Sequence, residues 1–278
     1  MFKILKKEEM VPNVFAMTID APRIAKKAQA GQFVVLRIDE KGERIPLTIA
    51  DYDRETGEIL IVFQPIGAST QQLAQLNAGD ALLDFVGPLG QPSVIKKFDG
   101  TVVVVGGGIG VAPIYPIARA MKAAGNKVIA IMGAKNKDIL IMEDYMKQVT
   151  DEILVTTDDG SRGIKGFVTY AVQELIDRGE NIAQITAIGP GIMMKSVADA
   201  TREAGIRTIV SLNPLMVDGT GMCGCCRVIV GGEVRFACVD GPEFDGHQVD
   251  FGNLMNRGRM YRSEEAEAKD HVCKIGLH

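Results

Sequence analysis

The chain contains no tryptophan, and aromatic residues make up only 5% of it. Such a composition argues against stacking platforms for sugars or for single-stranded nucleic acid. Charge of one sign is scarce too: a formal net charge of −4 implies no general affinity for nucleic acid or for acidic membrane surfaces. No apolar run approaches the ~20 residues needed to cross a bilayer, so no membrane span is predicted. The N-terminal stretch Met1-Phe-Lys-Ile-Leu-Lys-Lys-Glu-Glu9 carries charge where a secretory signal has an apolar core. The expected setting is therefore a reducing cytoplasm. The only histidines are His247, His271 and His278, all late in the chain. No Ser-His-Asp, Cys-His or paired-carboxylate arrangement accompanies them, which speaks against hydrolytic chemistry.

What is present is apolar residue and glycine. Hydrophobic residues form 46% of 278, enough for two cores, or two and a small third. The first segment, residues 1–98, alternates apolar and polar positions in short runs: Val14–Asp20, Gln32–Ile38, Leu47–Ala50 and Glu58–Gln64 read as strands. Turn signals separate them, and one short helix, Ser69–Leu76, interrupts. Closely spaced strands of this kind predict an antiparallel β-barrel, because closure removes unpaired edges.

The second segment, 99–212, changes period. Strands Val102–Val105, Lys127–Ala134, Glu152–Thr157, Gln184–Ile188 and Arg207–Leu212 alternate with helices Ile114–Ala124, Asp138–Val149, Phe167–Arg178 and Met193–Ala204. That alternation predicts a doubly wound parallel α/β domain with its ligand at the carboxyl ends of the strands. The third segment, 213–278, has about 65 residues, too few to bury much core alone. Its charged tail from Tyr261 onward reads as a helix.

Three loops end strands of the second segment. Gly106-Gly107-Gly108-Ile109-Gly110 follows a valine-rich strand and precedes a helix, the position where a dinucleotide pyrophosphate docks on backbone N–H groups. The Gly-x-Gly-x-x-Gly fingerprint is not met, since its third glycine falls on Val111 or Pro113, and Lys135 stands where an acidic residue ends the second strand. A tight turn without ligand explains the same glycines. Asp158-Asp159-Gly160 ends the third strand, and Gly189-Pro190-Gly191-Ile192-Met193 the fourth. The carboxylates there suit ribose hydroxyls or cap the turn, and with Lys135 opposing them the choice between NAD and NADP stays open. In the barrel, Arg44-Ile-Pro-Leu-Thr48 and Gly67-Ala-Ser-Thr70 are candidates for a flavin and its pyrophosphate; Ser69 serves equally as a helix cap.

Four of the five cysteines fall within sixteen residues, as Cys223-Gly-Cys225-Cys226 and Cys238. The ligand pattern Asp218-x4-Cys223-x2-Cys226-x11-Cys238 is the plant-type ferredoxin spacing with aspartate in place of the leading cysteine. Competing explanations are a disulfide cluster, inert buried thiols, and a structural zinc on Cys223, Cys226, Cys238 and His247.

Barrel, Gly-Gly-Gly-Ile-Gly-Val-Ala-Pro nucleotide loop and cysteine loop, in that order, resemble the ferredoxin–NADP reductase superfamily. Within it the chain is similar to the electron-transfer subunits of dihydroorotate dehydrogenases. Asp218-Gly-Thr-Gly-Met-Cys-Gly-Cys-Cys-Arg227 is nearer to those of NADH-dependent ferredoxin:NADP oxidoreductases, since the dihydroorotate type has cysteine at Asp218. The resemblance implies an α+β multidomain chain: a flavin barrel, a nucleotide domain and a small cysteine-rich [2Fe–2S] domain. It implies FAD against Arg44, Pro46, Leu47, Thr48, Gln64, Gly67, Ser69 and Thr70. It implies NAD(H) against Gly107, Gly108, Gly110, Asp158, Gly189, Pro190, Gly191 and Met193. The implied cluster ligands are Asp218, Cys223, Cys226 and Cys238, with Cys225 a neighbour. In the superfamily's Arg-x-Tyr-Ser/Thr motif the arginine lies three before the hydroxyl, where this chain has Ile45 and Arg44 only one position further away. No catalytic side chain is implied, because the cofactors carry the chemistry: hydride exchange with FAD, then single electrons through [2Fe–2S] to a larger subunit. That partner would carry flavin and [4Fe–4S] clusters, and handle NADP and ferredoxin by electron bifurcation. A stand-alone flavin reductase and a zinc-stabilised NAD-binding protein are the rival readings.

Overall fold

In the computed structural model, which describes residues 1–274, two seven-stranded sheets share the chain. The first holds β1 (Phe2–Val11), β2 (Val14–Asp20), β3 (Phe33–Arg37), β4 (Ile45–Asp53), β5 (Glu58–Phe63), β6 (Ala81–Leu82) and β7 (Asp84–Leu89), with helices α1 (Pro22–Ala25) and α2 (Ala68–Gln75) between them. Its pairings are all antiparallel, and the strand order is β6-β1-β2-β5-β4-β3-β7. The two outermost strands, β6 and β7, are consecutive in the chain and separated only by Leu83, whose N–H bonds to Ile38 O at 3.1 Å. The sheet is thereby curled until its edges nearly meet, as expected of a barrel. Period-2 alternation explains its inside: Met17 and Ile19, Val34 and Leu36, and Ile59, Ile61 and Phe63 fill one core. β1 covers most of the charged stretch read only as lacking a signal core; Lys3, Lys6 and Glu9 are exposed while Ile4 is buried.

The second sheet holds β8 (Thr101–Gly107), α3 (Val111–Ala123), β9 (Lys127–Ala134), α4 (Glu143–Val149), β10 (Glu152–Thr157), β11 (Ile164–Lys165), α5 (Val168–Asp177), β12 (Ile182–Ile188), α6 (Gly191–Arg202) and β13 (Thr208–Ser211). Alternate residues face opposite layers. Val102, Val104, Val128 and Ala130 pack with α3 and α4, whereas Val103, Val105, Ile129 and Ile131 pack with α5 and α6. Strands buried on both faces lose polar alternation, hence the near-continuous valine and isoleucine.

Two expectations need correction. The helix expected over 138–149 is a short turn at Lys137–Ile139 followed by α4, because Asn136 caps that turn and buried Met142 takes a left-handed backbone, φ 56°. The sheet is also mixed, not wholly parallel. After the hairpin β14 (Arg227–Val230) and β15 (Glu233–Phe236) and the short α7 (Ala237–Asp240), β16 (Glu243–Asp245) pairs antiparallel with β13 as the edge strand. Helices α8 (Phe251–Arg257) and α9 (Arg262–Lys274) follow. The third segment is thus joined to the second sheet, and Cys226, Val228 and Cys238 share one hydrophobic core with Val105 and Met194. His278 lies outside the described residues, as does the side chain of His271. Among the described residues no helix is long and apolar enough to cross a membrane.

Candidate functional site

The residues expected to meet a flavin gather at one end of the barrel. β4 pairs with β3 through Val35–Pro46, Val34–Leu47 and Phe33–Thr48. Gln64 directly follows β5, whose Ile61 pairs with Ile49 of β4. Arg44 is exposed just ahead of β4. Gly67 precedes α2, and a side chain there would meet only open space. The first intrahelical bond is Gln71 N–H to Gly67 O, 2.9 Å, so the N–H groups of Ala68, Ser69 and Thr70 are available to an anion. Two hydroxyls already have partners: Ser69 donates to Glu43 at 2.7 Å, and Thr70 Oγ1 accepts from Gly67 N–H at 3.1 Å.

The second sheet has strand order β11-β10-β9-β8-β12-β13-β16, so the winding reverses between β8 and β12. Open α/β sheets bind ligands outside the strand carboxyl ends at such a switch point. There the triple-glycine loop faces the loop at Gly189–Met193. The glycines divide by task. A Cβ on Gly110 would collide with Ile188 O and one on Gly107 with Met193 Sδ, so these two permit close packing of helix, strand and loop. Gly108 has φ 56° and open space beyond it, which leaves its backbone accessible to a ligand. Asp158 ends β10, three strand spacings from β12, or roughly 14 Å at about 4.8 Å each. That span suits an elongated, two-part ligand. Of the adjacent acids, Asp159 accepts Ser161 N–H at 2.9 Å and so caps the turn. The exposed Asp158 carboxylate has no hydrogen-bond partner among the described residues.

The cysteine loop is built by three left-handed glycines, Gly219, Gly221 and Gly224. A Cβ at Gly219 would lie 2.8 Å from Leu89 Cδ1 and 3.0 Å from Val35 Cγ2, so the loop is seated on the outer face of β3 and β7. Gln91 ties the same segments together, donating to Gly241 O at 2.6 Å and Val239 O at 2.9 Å. The sequence signal for this seat is the apolar Phe33 and Val35, which face away from the barrel core.

Cys226 and Cys238 are buried with sulfurs 3.1 Å apart, too far for a disulfide bond of about 2.05 Å. Burial, then the neighbouring Cys226, pushes the Cys238 thiol up to about 12. Cys223 is exposed, and hydrogen bonding from the Cys225 backbone lowers it. Asp218 accepts Thr220 N–H at 2.6 Å and Cys223 N–H at 2.7 Å. Two of the four expected ligands therefore converge, and a third is tied to the fourth through its backbone. Among the described residues no three His, Cys, Asp or Glu side chains are gathered as a metal site. The donor chemistry nonetheless fits a soft metal centre: adjacent buried thiols ionise together only beside a cation. His247 is elsewhere, with Nε2 3.1 Å from Thr201 Oγ1, and so does not join the cysteines as a zinc ligand.

A near-closed antiparallel barrel followed by this α/β sheet is the architecture of flavin- and pyridine-nucleotide-dependent reductases. Residues 104–199 match the oxidoreductase NAD-binding domain, and residues 213–250 match the iron–sulfur cluster binding domain of dihydroorotate dehydrogenase B. A chain in the structure of an NADH-dependent reduced ferredoxin-NADP oxidoreductase, solved for insights into flavin-based electron bifurcation, superposes with TM-score 0.93 at 48% identity, covering 98% of each chain. The dihydroorotate dehydrogenase B (NAD(+)) electron transfer subunit homolog of Thermotoga maritima is 50% identical over 98% of this chain and 95% of its own. The subunit of that enzyme from Streptococcus mutans is 35% identical over 88% and 96%. Phthalate dioxygenase reductase, at 16% identity and TM-score 0.59 over 82% and 85%, shares the fold. The chain is an electron-transfer oxidoreductase subunit of the flavin- and NAD(P)-binding class. It belongs to the family of dihydroorotate dehydrogenase B electron-transfer subunits and their homologues, within the ferredoxin–NADP reductase superfamily.

Proposed function

We propose that this chain is the small subunit of a bifurcating, NADH-dependent ferredoxin:NADP oxidoreductase. In this reading residues 1–98 bind FAD, 99–212 bind NAD(H), and 213–278 hold a [2Fe–2S] cluster and the tail. The full-length likeness at 48% identity supports it, but the observation that carries it is the seating of the cysteine loop on Val35 and Leu89. That contact puts a thiol-rich loop against β3, the neighbour of β4, and against β7 beyond it; the opening residues of β4 are the flavin candidates.

When bound, FAD exchanges a hydride with NAD(H) and passes electrons singly to an iron–sulfur centre, which neither partner does alone. The chain supplies position and electrostatics. Arg44, Pro46, Leu47, Thr48 and Gln64 line the flavin, and the α2 N-terminus with Gly67, Ser69 and Thr70 receives its pyrophosphate. Backbone N–H groups around Gly107, Gly108 and Gly110 cradle the nucleotide diphosphate, with Gly189, Pro190, Gly191 and Met193 opposite. The Asp158 carboxylate accepts ribose hydroxyls and repels a 2′-phosphate, which favours NAD(H). Asp218, Cys223, Cys226 and Cys238 hold the cluster. The partner is a larger cytoplasmic subunit with flavin and [4Fe–4S] clusters that handles NADP and ferredoxin.

The match of residues 213–250 to the dihydroorotate dehydrogenase B domain favours a second reading, as electron-transfer subunit of that enzyme. Co-purification from the native cell separates the two by the partner that accompanies the chain. Assays for FAD, iron and acid-labile sulfide on the purified chain test both. A colourless protein, or one containing zinc, would overturn both.

A further inference from the structure

β4 runs from the proposed flavin residues Pro46–Thr48 to Asp51–Asp53, and α3 runs from the nucleotide loop to Ala123. The two elements are packed together where Ala16, Ala50 and Val62 of the barrel share a core with Val111, Tyr115 and Ala118. Small and aliphatic contacts of this kind are non-directional. They set how closely the helix approaches the strand, but resist sliding along it only weakly.

A directional contact stands beside them. Arg119 of α3 is ion-paired with Asp51 of β4. Its guanidinium also lies 5.0 Å from the ring centre of Tyr52 and 5.6 Å from that of Tyr115. Tyr115 meets Tyr145 of α4 edge-on, at 5.6 Å and 85°. Asp51 follows a register shift in the β4–β5 ladder, and such a bulge re-aims the side chain after it. Tyr52 N–H bonds to Asp51 Oδ1 at 2.7 Å and fixes that aim. A planar cation held by a carboxylate and by ring faces has little freedom to turn. The group borders a cleft of about 290 Å³ between barrel and helices, so apolar packing does not enclose it.

We propose that Arg119, through Asp51, is a positioning residue for hydride transfer: it locks α3 along β4 and so sets the reach from the nucleotide loop to the flavin strand. The proposal rests on the cofactor reading above. The step concerned is NADH + FAD → NAD⁺ + FADH⁻, the hydride leaving the nicotinamide with its electron pair. Arg119 touches neither reactant. Because reacting atoms must approach within about 3.5 Å, a displacement of about 1 Å is worth up to 100-fold in rate.

The test compares R119M, R119K and D51N in the purified, cofactor-loaded full chain. Three quantities are measured: FAD content, NAD⁺ affinity by calorimetry, and the single-turnover rate of flavin reduction at saturating NADH. FAD content and NAD⁺ affinity are expected to stay within about twofold of wild type, while R119M and D51N lose roughly 10–100-fold in rate. R119K, which keeps the charge but not the plane, falls between, and the double variant R119M/D51N is no slower than R119M. Rates within about twofold of wild type would overturn the proposal, as would losses that track FAD content or NAD⁺ affinity. If R119M fails to fold, R119K and D51N decide on the same criteria. Wild-type protein that takes up neither FAD nor NAD⁺ overturns the cofactor reading itself, and the proposal with it. Normal wild-type reduction matched by all variants overturns the positioning role alone.

Discussion

One carboxylate oxygen of Asp218 accepts the backbone N–H of Cys223 at 2.7 Å, while the other accepts that of Thr220 at 2.6 Å. The residue proposed as the leading cluster ligand is therefore also the clasp of the loop. These bonds, Thr220's first, hold the Asp218 carboxyl below the ordinary carboxylate range. An oxygen that accepts one N–H keeps a second lone pair, so clasp and ligand are compatible roles.

Asp218→Cys and Asp218→Ala separate those roles. Asp218→Cys is expected to keep iron and sulfide content but shift the reduction potential, since a thiolate is a softer, more strongly donating ligand than a carboxylate. An unaltered potential and spectrum would remove Asp218 from the ligand set. Asp218→Ala removes both acceptors and is expected to speed proteolysis of the 218–226 loop, with lower iron content.

Gly108→Ala and Gly110→Ala are expected to fail in different ways. At Gly110 the new methyl would strike Ile188 O, and the backbone must shift. The expected cost is roughly 1–3 kcal/mol of stability, read by denaturant unfolding. At Gly108 the methyl meets nothing within the chain, so the cost is about 1–2 kcal/mol of left-handed backbone strain. Its main effect is expected as weaker NAD⁺ binding, measured by calorimetry, because the methyl projects where the nucleotide backbone contact belongs.

The paired acids of the β10 loop offer a similar contrast. Asp158→Ala is expected to weaken NAD⁺ binding by about tenfold, the loss of a charge-assisted hydrogen bond of roughly 1.5 kcal/mol, with unfolding unchanged. Asp159→Ala is expected to leave affinity within about twofold and to lower stability slightly through the lost Ser161 cap. Equal affinity losses in both variants would contradict this division.

Glu243 supplies a pH dependence. Its backbone lies on the half-exposed edge strand β16, but its carboxyl is turned inward, hydrogen-bonded with Ser93. Burial raises the carboxyl above its ordinary 4.5, and the Ser93 hydroxyl offsets only part of that. A raised carboxyl favours the fold while protonated. The contribution is complete below pH 4.5 and is lost as pH rises through the folded-state value. Glu243→Gln removes the charge and keeps a partner for Ser93. The variant is expected to be more stable than wild type at pH 8, because it buries no charge there. At pH 4 the advantage should vanish. Parallel stability curves for the two proteins across pH 4–8 would refute this.

Much of the molecule was legible in advance wherever the signal was local. β2 matches its expected span, Val14–Asp20, because period-2 alternation in a half-buried strand is written in adjacent residues. α2, β9, β10 and the loops after β8, β10 and β12 were legible from equally local signals, as was the cysteine spacing. The break at Met142 was not legible, since the helical period of 138–149 continues past it, whereas the left-handed backbone of buried Met142 interrupts the helix.

By itself the sequence determined the order of barrel, nucleotide sheet and cysteine loop, and the residue types available to each. Those follow from propensity and spacing over a few residues. Tertiary structure alone decided that β16 closes the nucleotide sheet, that Gly219 is seated on Val35 and Leu89, that Asp159 and not Asp158 caps its turn, and that Asp51 meets Arg119. In all but one of these the partners lie far apart in the chain. In the Asp158–Asp159 case two identical side chains differ only in direction. Neither distance nor direction is encoded in local periodicity; both arise when the apolar faces find their partners and the polar groups take the bonds that remain.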